Sequence, residues 1–522
     1  MRYFSKVGNV KTKRTRVYAD MTRGVCPPQE YVKNSVWNMI NFSADQYPWF
    51  TLRKPIKEIH FPTNCKSGLG AYNSKFYHVE EGEFYYDGKN KFKVSAGKKK
   101  FYNYNEKILV FPDMIYYDPQ TDEHGKFGIT TPEITYRISR RVTAGGDFGL
   151  SCIQGDNINL TDFFKVGDGV KITDQEGLGI SGFHTVTAVN KETGELYFDR
   201  FEFGDGDGFT LKGKLSNGAP ERCDAACICG GRVWIAGGNK IHATTINDER
   251  NWAVGGDDEK SSFVCEFDKN ETVTACVEFE GSPVFFTKNK IYKVYGDRAS
   301  NFYLKCCSNW GGIPQHMSDT VAVFKDRIFY VSNHCVTCFD GSTPRILMKI
   351  PSEIDGDMFA ASDGQKYYVF VDNGERLLYV YDDISDRWHI YGWYEIKNFF
   401  SYNGDLYAYA REKLCSLSGG DELLGQNYTE PIFDFSASFM FETRGKRPVT
   451  LGLDIECDFG TNCSIYVSYK TIDNRTRVKS ISGYYSGLVE IPLVPGDCEN
   501  VWVYIDGSDS FTLKQLYVDF VE

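Results

Sequence analysis

At 522 residues the chain is long enough for several domains, each with its own core. Its formal net charge of −11 comes from acids spread along the chain, which excludes holding nucleic acid by neutralising phosphates. No run of about 18 apolar residues occurs, and the opening Met-Arg-Tyr-Phe-Ser-Lys-Val lacks the apolar core of an export signal. These features predict a protein made in a cytoplasm, without a membrane span.

In chain order, residues 1–60 read as an extended amino-terminal arm. Pro48 and Pro55 break regular structure there, and a helical turn is predicted near Val36 to Phe42. Residues 61–129 carry two hairpins, one over Asn73 to Gly88 and one over Asn105 to Asp118. Residues 130–218 change texture. The run Phe164-Lys-Val-Gly-Asp-Gly-Val-Lys-Ile172 is followed by His184-Thr-Val-Thr-Ala-Val-Asn190 and Glu195-Leu-Tyr-Phe-Asp199. That is the pattern of a small inserted β-barrel of the OB or SH3-like sort. Residues 219–425 return to hairpins, beginning at Gly230, Gly281, Lys325, Asp363 and Asn403. Residues 426–522 alternate apolar and polar over several strands and predict a β-sandwich.

The hairpins share one form. In Gly281-Ser-Pro-Val-Phe-Phe-Thr-Lys-Asn-Lys-Ile-Tyr-Lys-Val-Tyr-Gly296 a strand meets a Lys288-Asn289 turn, where Asn suits a left-handed backbone, and then a second strand. The later copies recur about every 40 to 50 residues, the spacing of four-stranded propeller blades. A lone meander cannot bury its faces, so such repeats stack. The predicted fold class is therefore all-β: a β-propeller of about seven blades with an inserted small β-barrel and a C-terminal β-sandwich.

No residue is nominated as catalytic, cofactor-binding or metal-binding. Cys335 and Cys338 form a C-x-x-C, but at that offset on one strand they point to opposite faces. Cys227 and Cys229 share a face without the further ligands of a zinc site. The 16 cysteines read as buried free thiols. Gly204-Asp-Gly-Asp-Gly208 lacks the bidentate Glu of an EF-hand and reads as a solvated loop. His242, His334 and His389 read as structural, and Trp252 and Trp388 as plugs between blades. Asp257-Asp258 and Asp382-Asp383 are adjacent, a poor arrangement for a glycosidase pair. Sialidase boxes, G-x-S-x-G, H-E-x-x-H and Walker loops are absent from the sequence.

Arg23-Gly24, Asn38-Met39, Asp45, Pro48 and Leu52-Arg53-Lys54-Pro55, followed by propeller-type repeats, resemble the opening of tail hub or nozzle (tail tube) proteins of tailed bacteriophages. The resemblance implies a structural virion protein in the tail, without catalysis, made in the host bacterial cytoplasm. It implies a ring of six copies that extends the tail channel. Its partners would be copies of itself, a tail adaptor or tail-tube protein, and a tail tip, plug or fibre. At −11 per copy, acids facing the lumen would let DNA pass without binding. A receptor- or glycan-binding propeller is the alternative, favoured by exposed Tyr and Trp on one rim of residues 431–522. A glycan-cleaving propeller enzyme is a further one, favoured by two convergent acids.

Overall fold

The structure, a computed structural model, describes residues 13–521 except 22–24, 26–33, 35, 44, 62–63, 143–147, 173–179, 199–207, 253–260, 268, 351–355, 373–376, 393–394, 420–421, 426, 430–433, 444, 458–462, 472–475 and 509. Regular structure among the described residues is strand, apart from three short 3-10 turns at Leu160–Asp162, Ala299–Asn301 and Gln315–Thr320. The fold is all-β and of the propeller type. Seven four-stranded antiparallel meanders follow one another among the described residues, at 69–93, 100–126, 225–266, 273–308, 322–349, 358–391 and 396–416. The seventh takes its fourth strand, Lys57–His60, from the start of the chain. Each hairpin read from the sequence forms the middle two strands of a meander.

The turns explain why. The first turn of several blades places two successive residues at positive φ: Asn73-Ser74 at 50° and 58°, Asn105-Glu106 at 48° and 63°, Asn403-Gly404 at 48° and 85°. That backbone follows the natural twist of the flanking strands, and Asn and Gly tolerate it. The Lys288-Asn289 turn departs from expectation. Asn289 is not left-handed; instead the Thr287 hydroxyl accepts from the amides of Asn289 and Lys290, at 3.4 and 3.0 Å.

Two compact units are distinguished. One comprises Asn64–Asn333 and Thr337–Arg345, the other Met1–Thr63, His334–Val336 and Ile346–Glu522. In the first, blades pack serially. Tyr77 and Phe84 of blade 1 meet Ile108, Val110 and Tyr117 of blade 2. Leu109, Phe111 and Phe127 meet Val233, Ile235 and Trp252 of blade 3, and Trp234 meets Phe285 of blade 4. The inserted domain between blades 2 and 3 is a six-stranded sheet. Its order is Gly169–Ile172, Gly182–Asn190, Glu195–Phe198, Phe148–Gly155, Ile134–Val142, Gly208–Gly213. It curls around Tyr136, Ile138, Ile153, Phe164, Val170 and Phe198, and its ends meet where the Lys171 amide donates to the Ser216 carbonyl at 2.7 Å.

In the second unit, Tyr368, Phe370 and Val380 of blade 6 pack with Leu406, Ala408 and Cys415 of blade 7. The sandwich has two sheets around Phe435, Phe439, Leu451, Val467, Val503 and Val518. The described part of residues 1–60 is not a separate arm. Arg14–Tyr18 and Phe50–Leu52 pair with the final strand Thr512–Val521, and Val36–Ile40 pairs with Asp434–Glu442. Val36–Ile40 is a strand rather than the predicted helical turn. Thr476–Gly483, not read from the sequence, completes the second sheet.

Candidate functional site

A polar cleft of about 430 Å³ in the first unit is lined by Asn105, Lys107, Lys165, Asp168, Asn247, Asp248, Glu249 and Arg250, with Val166 and Gly167. It sits where the inserted barrel leaves blade 2 and the chain enters blade 3. The fully buried Asn217 clasps this neck. Its carbonyl oxygen accepts from the Ile129 amide at 3.0 Å, and its Nδ2 donates to the Phe127 and Arg250 carbonyls, both at 2.7 Å. Arg250 then reaches into the barrel. Its guanidinium donates to both oxygens of Asp168, at 2.8 and 2.6 Å, and to the carbonyls of Lys126 and Phe163. Burial works against its charge, but Asp168 outweighs burial and holds the guanidinium protonated. A two-point guanidinium–carboxylate pair of this kind fixes orientation as well as distance.

The rest of the cleft is also paired. Lys107 donates to Glu249 at 2.5 Å, and both Lys107 and Lys165 lie over the Tyr116 ring, 5.0 and 5.4 Å from its centre. Asp248 accepts from the Arg250 amide at 3.0 Å, while burial, with Glu249 and Asp168 nearby, raises its carboxyl above the usual range. The three acids are thus engaged by cations or backbone amides. Chemically the cleft is a rigid joint between barrel and blades.

In the second unit the segment around Asn41 makes a second clasp. Asn41, at φ 65°, donates through Nδ2 to the Asp434 carbonyl and accepts at Oδ1 from Arg53 and from the Gly392 amide. Asp45 meets Lys366 of blade 6 at 2.6 Å. Burial alone would raise the Asp45 carboxyl, and Lys366 outweighs it to hold the carboxyl low. Tyr47 covers the buried Arg387 guanidinium at 4.4 Å. On the same strand His389 is fully buried, with neither ring nitrogen hydrogen-bonded, and burial, with Lys366 and Arg387, pushes its pKa down to about 3. Met39 enters the sandwich core. Arg23 and Gly24 lie outside the described residues.

The residues weighed from the sequence fall as follows. Cys335 is half-buried and Cys338 buried on one strand, while Cys227 and Cys229 share a face with Cys276 between blades 3 and 4. Burial pushes the Cys229 thiol up to about 12. Trp252 fills the gap between blades 2 and 3 and donates to the Phe127 carbonyl at 3.3 Å. Trp388 instead packs on Tyr381 of its own blade, at 5.3 Å. His242 is half-buried with its pKa down to about 4, mainly through burial, and His334 occupies a left-handed turn position at φ 61°. Asp382 is buried and caps the Ser385 amide. Residues 204–207 and Asp257-Asp258 lie outside the described residues. No group of three or more His, Cys, Asp or Glu that could hold a metal occurs among the described residues. Asn217 and the Asp168–Arg250 pair went unread because their partners lie tens of residues away, with no local pattern to mark them.

No protein-family model and no curated protein matches the chain. Among solved structures it is similar to a putative 6-phosphogluconolactonase from Bacteroides fragilis, at 14% identity over 54% of this chain and 88% of that one, TM-score 0.27. It is similar to Kluyveromyces lactis Hsv2 at 9% identity, with 68% and 97% covered and a TM-score of 0.25. An exo-β-1,3-galactanase from Phanerochaete chrysosporium follows at 7% identity, 56% and 96% covered, TM-score 0.20. Likeness at this level assigns no activity.

Proposed function

We propose that the chain is a structural subunit of a phage tail, a hub or nozzle protein that forms a ring around the path of the DNA. Its role is mechanical rather than catalytic. One observation carries the reading. The opening segment that resembles tail hub proteins supplies Met39 to the sandwich core, ties Asn41 to the Asp434 carbonyl of the sandwich and Asp45 to Lys366 of blade 6, and braces Asn41 with Arg53. A segment so engaged stiffens the subunit, as a conduit wall requires. Acidity along the chain supports passage of DNA without adhesion.

The test is the composition of purified particles of the phage that encodes the chain. Mass spectrometry and immunogold labelling should find it at the tail end distal to the capsid. Mass photometry of released tails should find it in a closed multiple of its 59.4 kDa mass. Absence from purified particles would overturn the proposal.

A further inference from the structure

The outer face of the sandwich carries a feature that neither the core nor the clasp uses. Along Cys498–Ser508 the side chains of Val501, Val503 and Ile505 are buried, so Trp502, Tyr504 and Asp506 turn to the other face. In the adjoining strand Tyr466 stands opposite Tyr504, Ser468 opposite Trp502 and Ser464 opposite Asp506. On the other side Ser438 stands opposite Tyr504 and Ser436 opposite Asp506. Tyr466 is 41% exposed and Tyr504 43%. Trp37, from the amino-terminal strand, sets its ring edge-on against Trp502 at 5.2 Å and 83°. That contact holds Trp502 so that its ring lies within 16° of parallel to Tyr504, centres 6.4 Å apart.

We infer that this strip of aromatic rings, bordered by serines and Asp506, is a binding platform for a neutral glycan. Exposed aromatic rings take up the C–H faces of a pyranose, while hydroxyls and a carboxylate beside them serve sugar hydroxyls. Charge and the exposed rings choose this occupant over others. The row of Tyr466 and Tyr504 runs on to the buried Ser438, and the row of Trp502 runs from the exposed Val478 through Ser468 to the buried Met440. The charges bordering the rings at one end are Asp506 and Asp434, with Lys470 at the far end of its strand. Acids beside the rings disfavour polyphosphates, DNA and acidic polysaccharides. The inference goes beyond the tail-hub reading and does not depend on it.

The experiment uses the full chain on a microarray of purified bacterial polysaccharides, neutral and acidic, with affinities then measured by quenching of tryptophan fluorescence. Neutral polysaccharides should be retained. Trp502→Ala should weaken binding by roughly tenfold, the factor given by one stacking contact. Tyr466→Ser, at an exposed position, should weaken it several-fold without moving the thermal midpoint, separating loss of the platform from loss of the fold. Three results would overturn the assignment: retention of acidic glycans alone or of none, affinity unchanged in both variants, or an oligomer in mass photometry that Trp502→Ala dissolves.

Discussion

The barrel and the sandwich are both accessory β-domains, yet they are built in opposite ways. The barrel is made from one contiguous stretch, Ile134–Val142 to Gly208–Gly213, and joins the blades through a neck held by Asn217 and Arg250. The sandwich is made from both ends of the chain: Arg16 meets Asp519 across 503 residues, at 2.8 and 3.0 Å. A contiguous insertion can be gained or lost as a unit. A domain braided from the two termini cannot.

The largest expected effect follows from that contrast. Deleting residues 1–55 removes Val36, Met39, Phe42 and Phe50, each buried to within 1%, from the sandwich core. At about 1.5–3 kcal/mol for each buried side chain, the loss rivals the whole stability of a domain, about 5–15 kcal/mol. The sandwich should then show no cooperative melting transition. Replacing residues 132–214 by a short Gly-Ser turn between Thr131 and Leu215, which already share a hydrogen bond of 2.8 Å, should leave cooperative melting of the remainder intact. A truncated chain that still melts cooperatively in its sandwich would break the contrast.

Next comes the neck. Asp168→Asn leaves the Arg250 guanidinium buried without its anion and should destabilise the barrel by about 3–5 kcal/mol, read from urea unfolding. The pair Asp168→Leu with Arg250→Met should recover most of that loss. A single variant as stable as the parent would show the neck to be held otherwise.

A smaller effect is pH-dependent. In the unfolded chain His389 takes up a proton near pH 6.5, but in the folded chain only near pH 3. The unfolded state therefore binds the proton first. Stability should fall as pH drops from about 6.5 towards 3, by a few kcal/mol. His389→Leu should flatten that part of the urea midpoint against pH. The smallest effect belongs to the exposed pair Arg447–Asp497 at the sandwich edge, where Arg447→Ala should leave the melting temperature unmoved.

The same contrast sets how much was legible in the sequence. The blades were readable because most hairpins carry their own turn chemistry, as at Asn105-Glu106 and Asn403-Gly404, beside short apolar runs such as Lys107–Phe111 and Asp405–Ala410. The barrel strands Gly169–Ile172, Gly182–Asn190 and Glu195–Phe198 were readable for the same local reason. The amino-terminal strand was not. Val36, Met39 and Phe42 are all buried at a spacing of three, which imitates a helix. A register shift between Val36 and Asn38, and left-handed Asn41 just beyond, let an irregular strand bury the same residues. The clasp and the aromatic platform depend on pairings that only the folded chain makes, although the alternation of Trp502 and Tyr504 with Val501 and Val503 already separated them from the core face.

The strand Lys57–His60 has a consequence for how the protein is made. It leaves the ribosome early, yet its partner Lys413–Ser416 and the buried Glu58's contact with Lys413 exist only some 350 residues later. A nascent chain interrupted before that point holds a strand with an open edge, a ready target for chaperones or for aggregation. The seventh blade is thus the last of the described blades to be finished, since it needs strands from far apart in the chain.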